Sequence, residues 1–357
     1  MKTSDQALAP FAQRVVLGLT LAVVALALWH LRFALLLVFI ALLLAIFIRL
    51  LADPLVRRLR LPEPAAVFLS LLVILAVAGA AVFLAGAEFG SQFQDVVARL
   101  PRAWVRIAAF AEHYGVPLDI PFLLEGASLN QLAGRAALVL QSVLSGLGQV
   151  VVVSFAALFL ALQPKLYREG LVAMFPPGRA QEQAGQFLHL LGNALKQWLL
   201  GQLLSMLIIG VLVAVSLQLV GAPSALVLGV LTGVAEFVPY VGAIAAGLVA
   251  TLVALSVSPH TALLTFGVYV LVQQLEGNVI TPLVMRRAVR LAPALNIFAL
   301  VVMAGVFGPP GVFVAVPSAV AALVAVKFFW LRGALGRETA IPGEDRIPAL
   351  SNTRKMG

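Results

Sequence analysis

Two acidic side chains, Glu236 and Glu276, fall inside long apolar runs of this 357-residue chain. A charge at the centre of a bilayer costs about 2.5–3.5 kcal/mol on insertion scales, so each must face protein, water or a positive partner. Glu276 belongs to the most polar patch within the apolar runs: Gln273, Gln274, Glu276, Gly277, Asn278 and Thr281, then Pro282. A carboxylate among amide and hydroxyl oxygens is the donor set of a cation or proton site. On a continuous helix Gln274, Asn278 and Thr281 share a face, while Glu276 points nearly opposite. A helix break at Gly277-Asn278 and Pro282 would let all of them converge and would add freed carbonyls to the site. The alternative is that these groups simply bond across to neighbouring helices. Glu236 either joins the same site or lies at the water boundary.

Such a site needs elements that enclose it, and the chain supplies two matching breaks. One runs Ala222-Pro223 to Phe237-Val238-Pro239-Tyr240-Val241-Gly242; the other runs Ala292-Pro293 to Phe307-Gly308-Pro309-Pro310-Gly311. Pro223 and Pro293, Phe237 and Phe307, and Pro239 and Pro309 share one offset. A broken helix cannot face lipid, because nothing there satisfies the freed N–H and C=O groups. Paired interruptions in corresponding positions are the sequence pointer to a carrier's binding site. The tips, Phe237, Pro239, Tyr240 and Gly242 in one and Phe307, Gly308, Pro309, Pro310 and Gly311 in the other, are expected to meet near the midplane as two gates. Between them would lie a transport and ion-coupling site of Glu236, Gln273, Gln274, Glu276, Asn278 and Thr281.

Composition fixes the class. Hydrophobic residues are 62% of the chain and charged residues 11%, with a mean hydropathy of +1.06. No soluble domain of this size hides so much apolar surface, so the reading is an all-α polytopic membrane protein. Candidate spans are 15–31, 33–51, 65–87, 137–162 and 199–220, then the broken segment 223–257, a span at 261–284, and the broken segment 293–326. Each arm of a broken segment is short for a full span, which suits re-entrant hairpins. Lys2 and Arg14 before an apolar run resemble a signal peptide, but a second span follows at once from Phe33, so Val15–Trp29 reads as a retained span.

The net charge of +9 is not a nucleic-acid signature, since basic residues sit at the ends of apolar runs. Most of them fall on one side if the N-terminus is cytoplasmic; only Arg32, Arg99, Arg102, Arg106 and Arg135 fall on the other. Both termini are therefore expected in the cytoplasm. The two hairpins then enter from opposite sides, which makes residues 199–257 and 261–326 an inverted repeat. Arg49 and Lys327, near helix ends, are expected to snorkel.

The predicted organisation is a three-span scaffold over 1–87 and an external amphipathic helical element over 88–136. A fourth span and an inner-face amphipathic helix occupy 137–198, with 180–198 lying along the membrane and feeding the next span. The transport core covers 199–330, and 331–357 is a disordered cytoplasmic tail. Enzyme signatures are missing. Cysteine is absent, the histidines (His30, His113, His189, His260) are scattered, and no zinc, nucleophile-elbow or phosphate-loop motif occurs. No cofactor is expected beyond a coupling sodium ion or proton, and no nucleic acid.

The residues Glu236 to Gly242, Gln274-Leu275-Glu276-Gly277-Asn278-Val279-Ile280-Thr281-Pro282, and Phe307 to Gly311 with Val316-Pro317 resemble the bacterial autoinducer-2 exporter family. The likeness covers nearly the whole chain and is specific over 222–326. Val238 stands where the family commonly has isoleucine, and Pro309-Pro310 stiffens a break that is often richer in glycine. The resemblance implies a bacterial inner-membrane secondary transporter, a homo-oligomer, with a small organic or signalling cargo. Members are also described as sodium(lithium)/proton antiporters, so that reading stays beside it. A channel or a non-transporting oligomeric scaffold is the rival from another class.

Overall fold

The protein is described by a computed structural model over residues 5–80, 83, 148–255, 257–284 and 291–344. The expected external element at 88–136 and the first part of the fourth span lie outside the described residues. The described chain is helical, with no strand among the described residues. Helices α1 (Asp5–His30) and α2 (Arg32–Leu59) are followed by α3 (Glu63–Ala80) and α4 (Gly148–Leu162). Helix α5 (Pro164–Ala173) turns 87° away from α4, and α6 (Arg179–Leu219) follows. The rest comprises α7 (Ala225–Ala235), α8 (Val241–Leu255), α9 (Pro259–Leu275), α10 (Thr281–Val284), α11 (Pro293–Phe307) and α12 (Pro309–Ala325). Five helices among the described residues are long and apolar enough to cross a membrane, or six if the bent α4–α5 pair counts as one. The chain is a multi-pass membrane protein.

Helix α2 joins scaffold to core because it has two buried faces. Ala41, Ala45, Ile48 and Ala52, spaced by four, three and four, pack on Ala66, Val67 and Leu71 of α3 and on Val153, Ala157 and Ala161 of α4. Small residues along that stripe let the backbones approach closely, which is how helices associate where lipid is as apolar as leucine. Its other face carries Leu36 and Leu43 to α6 and α12. Arg49 does not snorkel: it donates to the Ala161 and Leu162 carbonyls and pairs with Glu63 and Asp53.

The axis of the molecule is α6. The amphipathic stretch that sequence sets along the membrane face and the span after it are one helix of 41 residues. At 1.5 Å per residue that is about 60 Å, roughly twice the hydrocarbon thickness. Gly178 and Pro176-Pro177 before it are the punctuation, and nothing at residue 198 or 199 breaks the helix. Helix α6 touches α2, α5, α7, α9, α10 and α12.

Both expected breaks are present as helical hairpins, α7–α8 and α11–α12, but they are unequal. The first arms are 11 and 15 residues, joined by residues 236–240. The second arms are 15 and 17 residues, joined at Gly308 alone. Helix α12 also runs on through a π-helical stretch, Val326–Ala334, so that Pro309–Ala334 is long enough for a full span.

The expected helix break at Gly277 and Pro282 takes another form. The chain stays helical, and Glu276–Ile280 is a π-helical turn between α9 and α10, closed by the Thr281 N–H donating to the Glu276 carbonyl. Proline has no N–H and its ring crowds the carbonyl four residues back. A wider i→i+5 turn just before Pro282 removes that conflict without exposing unpaired backbone.

The tail expectation is corrected as far as Glu344. Residues 335–344 fold back as a strap over the first half of α6, with Ile341 only 3% exposed among Ala194, Leu195 and Phe328. Lys327 donates to the Ala340 carbonyl at 2.9 Å, Arg332 binds both Glu344 oxygens at 3.0 Å, and Asn193 donates to the Gly343 carbonyl at 3.3 Å. Residues 345–357 lie outside the described residues.

Candidate functional site

A cavity of about 280 Å³ opens where the first hairpin tip, the π turn and α11 face the middle of α6. Its walls include Trp198, Gln202 and Ser205 from α6, and Pro239 and Tyr240 from the tip. Glu276, Gly277, Thr281 and Pro282 come from the π turn and the start of α10, Asn296 from α11 and Val316 from α12.

Each wall is set by local sequence. Trp198, Gln202 and Ser205 follow at four and three residues, so one face of α6 presents all three. The tip is a tight reversal held by the Val241 N–H to the Pro239 carbonyl at 2.8 Å and the Gly242 N–H to the Val238 carbonyl at 2.9 Å. Gly242 is required there, because a Cβ would overlap the Ala235 carbonyl oxygen. Tyr240 takes a positive φ of 67°, unusual for a residue with a side chain, and this puts its ring at the cavity.

Beneath the tip, Glu236 is 0% exposed, and neither carboxyl oxygen has a hydrogen-bond partner among the described residues. Its own backbone carbonyl accepts from Gln202 Nε2 at 2.7 Å. The Glu276 carboxyl is its neighbour, close enough for direct electrostatic interaction. Gln273 Nε2 donates to Glu276 Oε2 at 2.7 Å. Asn296 Oδ1 is a further buried oxygen without a partner among the described residues. No lysine, arginine or histidine among the described residues lines the cavity. Two carboxyls and the free Asn296 amide oxygen therefore lie at or beside the cavity with no described protein cation to answer them, an arrangement that attracts a proton or a small hard cation.

Of the residues expected at the site, the structure brings together Glu236, Gln273, Glu276 and Thr281, with Gly277 and Pro282 in the wall. Gln274 and Asn278 are exposed on another face of the helix and bond to each other, Asn278 Nδ2 donating to the Gln274 carbonyl at 2.9 Å and to its Oε1 at 3.3 Å. The chain stays helical through the π turn, so Gln274 and Asn278 do not converge on the cavity, while the extra residue of the wider turn brings Thr281 round to the side of Glu276.

Pro239 and Tyr240 are at the cavity, while Phe237 stacks edge-on against Trp198 at 6.1 Å. The first tip packs against the second hairpin. Val238 packs on Leu300 and Ala315, the waist of the second hairpin. The second tip lies about 10 Å further along α11, where Phe307 meets Phe33 at the start of α2 at 6.1 Å. Phe307, Gly308, Pro309, Pro310 and Gly311 are absent from the cavity lining. Arm lengths explain this, since the longer α11 carries its tip past the level that the short α7 reaches.

Sequence reasoning missed Trp198, Gln202, Ser205 and Asn296. A signal was there: Gln202 and Ser205 lie one turn apart inside an apolar run, and Asn296 stands alone among aliphatic neighbours.

Several known proteins are similar to this chain. YrrI of Bacillus subtilis (strain 168) is 29% identical over 157 residues, 44% of this chain and 44% of YrrI. YueF of the same organism is 36% identical over 142 residues, 40% of this chain and 37% of YueF. A Thermotoga maritima protein is 25% identical over 236 residues, 65% of this chain and 71% of that protein. All three carry names that class them as transport proteins, and the chain spans less than half the length of YrrI and YueF. Residues 18–330 match the profile described as AI-2E family transporter, and the chain belongs to that family.

Proposed function

We propose that this protein is an ion-gradient-coupled secondary transporter that moves a small polar organic or signalling molecule by alternating access. The observation that carries this reading is the buried Glu236–Glu276 carboxyl pair, with Glu276 in the wall of a cavity inside an apolar protein and Glu236 enclosed beside it. On this reading the pair binds the coupling proton or sodium ion, and Gln202, Ser205, Asn296 and Tyr240 contact the cargo. Helix interruptions that line a cavity are the form such sites take in carriers. Family membership supports transport, and the basic ends of the helices support a bacterial inner-membrane protein with cytoplasmic termini. By family likeness it works as a homo-oligomer.

The sodium(lithium)/proton antiporter is a second reading, favoured by two carboxyls facing each other with no described cationic side chain beside them. Proteoliposome flux under imposed sodium and proton gradients separates the readings. An organic solute that moves only with the gradient supports the carrier; cation-dependent proton exchange with no solute supports the antiporter. The Glu276→Gln variant is expected to lose gradient-driven flux and its pH dependence. If it retains both, Glu276 is not the coupling group.

A further inference from the structure

A second cavity, of about 360 Å³, lies between α2, α4, α5 and the first part of α6. Its floor is apolar, with Ile46, Leu160, Leu191 and Leu195 among its walls, and its rim carries Arg168 and Lys196. Arg49 also reaches it but is fully engaged by carbonyls and acids. The two rim cations are not. Lys196 is 46% exposed and holds Asp53 at a long 3.6 Å, while Arg168 is exposed and donates one 3.4 Å bond to the Gly185 carbonyl.

The position of this rim is set by α5. Turned 87° from the apolar helix α4, α5 runs across the direction of α4 rather than continuing it. Leu166, Leu171, Met174 and Phe175 are exposed on and just after it, beside Lys165 and Arg168. Exposed bulky apolar side chains with basic neighbours are the composition of a helix lying in the headgroup plane. The cavity mouth is therefore at headgroup level, with its basic rim outward and its apolar floor towards the hydrocarbon.

We propose that this cavity binds an anionic phospholipid of the adjoining leaflet, its phosphate between Arg168 and Lys196 and part of one acyl chain on the apolar floor. Basic pockets between membrane helices select anionic headgroups by this complementarity, whereas a zwitterionic lipid brings its own cation to the same rim. A soluble phosphate would leave the apolar floor unused. The site is separate from the carboxyl-lined cavity and does not depend on what that cavity transports.

The test is native mass spectrometry of the full chain released from nanodiscs of equal phosphatidylglycerol and phosphatidylcholine. Phosphatidylglycerol is expected to be retained preferentially, and Arg168→Gln and Lys196→Gln should each lower that preference about fivefold. Gly192→Leu is the control for the floor, since a Cβ at Gly192 meets nothing within 4 Å and the new side chain fills the cavity. It should abolish retention with the rim charges intact and without lowering the melting temperature. Equal retention of the two lipids, an unchanged preference in the doubly substituted protein, retention in Gly192→Leu, or equal binding of soluble glycerol phosphate would each overturn the proposal.

Discussion

Hairpin α7–α8 is held to α6 by backbone, and hairpin α11–α12 by side chains. Along the first seam, Gly210 of α6 faces Gly229 and Gly233 of α7 so closely that a Cβ at Gly229 would overlap the Ala214 Cβ. In the second, α12 docks on α6 through Val314, Val316, Val320 and Val324, while α11 buries only Leu300 and turns Ile297, Phe298 and Val301 outward. The polar groups share the same division. Glu236, Thr232 and Tyr240 belong to the first hairpin, whereas the second offers the cavity only Asn296 and apolar neighbours. One repeat is built to be fixed and charged, the other to be a smooth wall. On the proposed mechanism the smooth wall is the part that moves, because side-chain packing slides where interlocked backbones do not.

The sharpest way to break this comparison is to add the same side chain to both hairpins. Gly229→Leu drives atoms into the Ala214 backbone and is expected to cost about 3 kcal/mol or more, read as lost folded yield in detergent. Gly305→Leu in α11 meets nothing within 4 Å, and should instead gain up to about 1 kcal/mol from helix propensity. Equal effects would dissolve the distinction.

The tips offer the next contrast. Gly308 sits at φ 67° and ψ −151° and caps both second-hairpin helices, a backbone conformation reserved for glycine. Gly308→Val should destabilise by about 1–3 kcal/mol, seen as a lower melting temperature. Tyr240 carries the positive φ of the first tip despite its side chain. Tyr240→Gly should therefore stabilise the fold by about 1 kcal/mol while reducing transport, since the ring at the cavity is gone.

The smallest effect concerns the strap that ties the end of the second hairpin back to α6. The Arg332 guanidinium holds the Glu344 carboxyl below its usual range, with the Ile341 N–H helping. A carboxyl depressed in the folded state stabilises above its unfolded value, about 4.3 for glutamate, and that contribution is lost as pH falls through the folded value. Strap protection against proteolysis should thus be constant at neutral pH and decline only in acid. Because both side chains are exposed, solvent screens the pair and its contribution to stability is small, and Glu344→Gln should remove it.

The sequence exposed the class of fold because composition and apolar runs are global properties, and the two breaks because glycine and proline mark them locally. The carboxyl pair was visible for the same reason: Glu236 and Glu276 are anomalies in an apolar background. What stayed hidden is geometry between distant elements. The repeat offset suggested equal hairpins, yet α7 has 11 residues and α11 has 15, and that difference decides which tip reaches the cavity. Gln274 and Asn278 looked like ligands by proximity in sequence, but helical phase turns them outward. Gln202, Ser205 and Asn296 are single polar residues whose meaning depends on what packs opposite.

The π turn at Glu276–Ile280 leaves its helix with a residue to spare. A wide turn of this kind absorbs an extra residue without rotating the helix beyond it, so deleting exposed Val279 would close the rod at ordinary pitch and leave α10 facing as before. Length variation should thus be tolerated here and hardly anywhere else between Pro259 and Val284. The shortened protein would still insert correctly, but with Pro282 pressing on a carbonyl that the surplus residue now keeps clear.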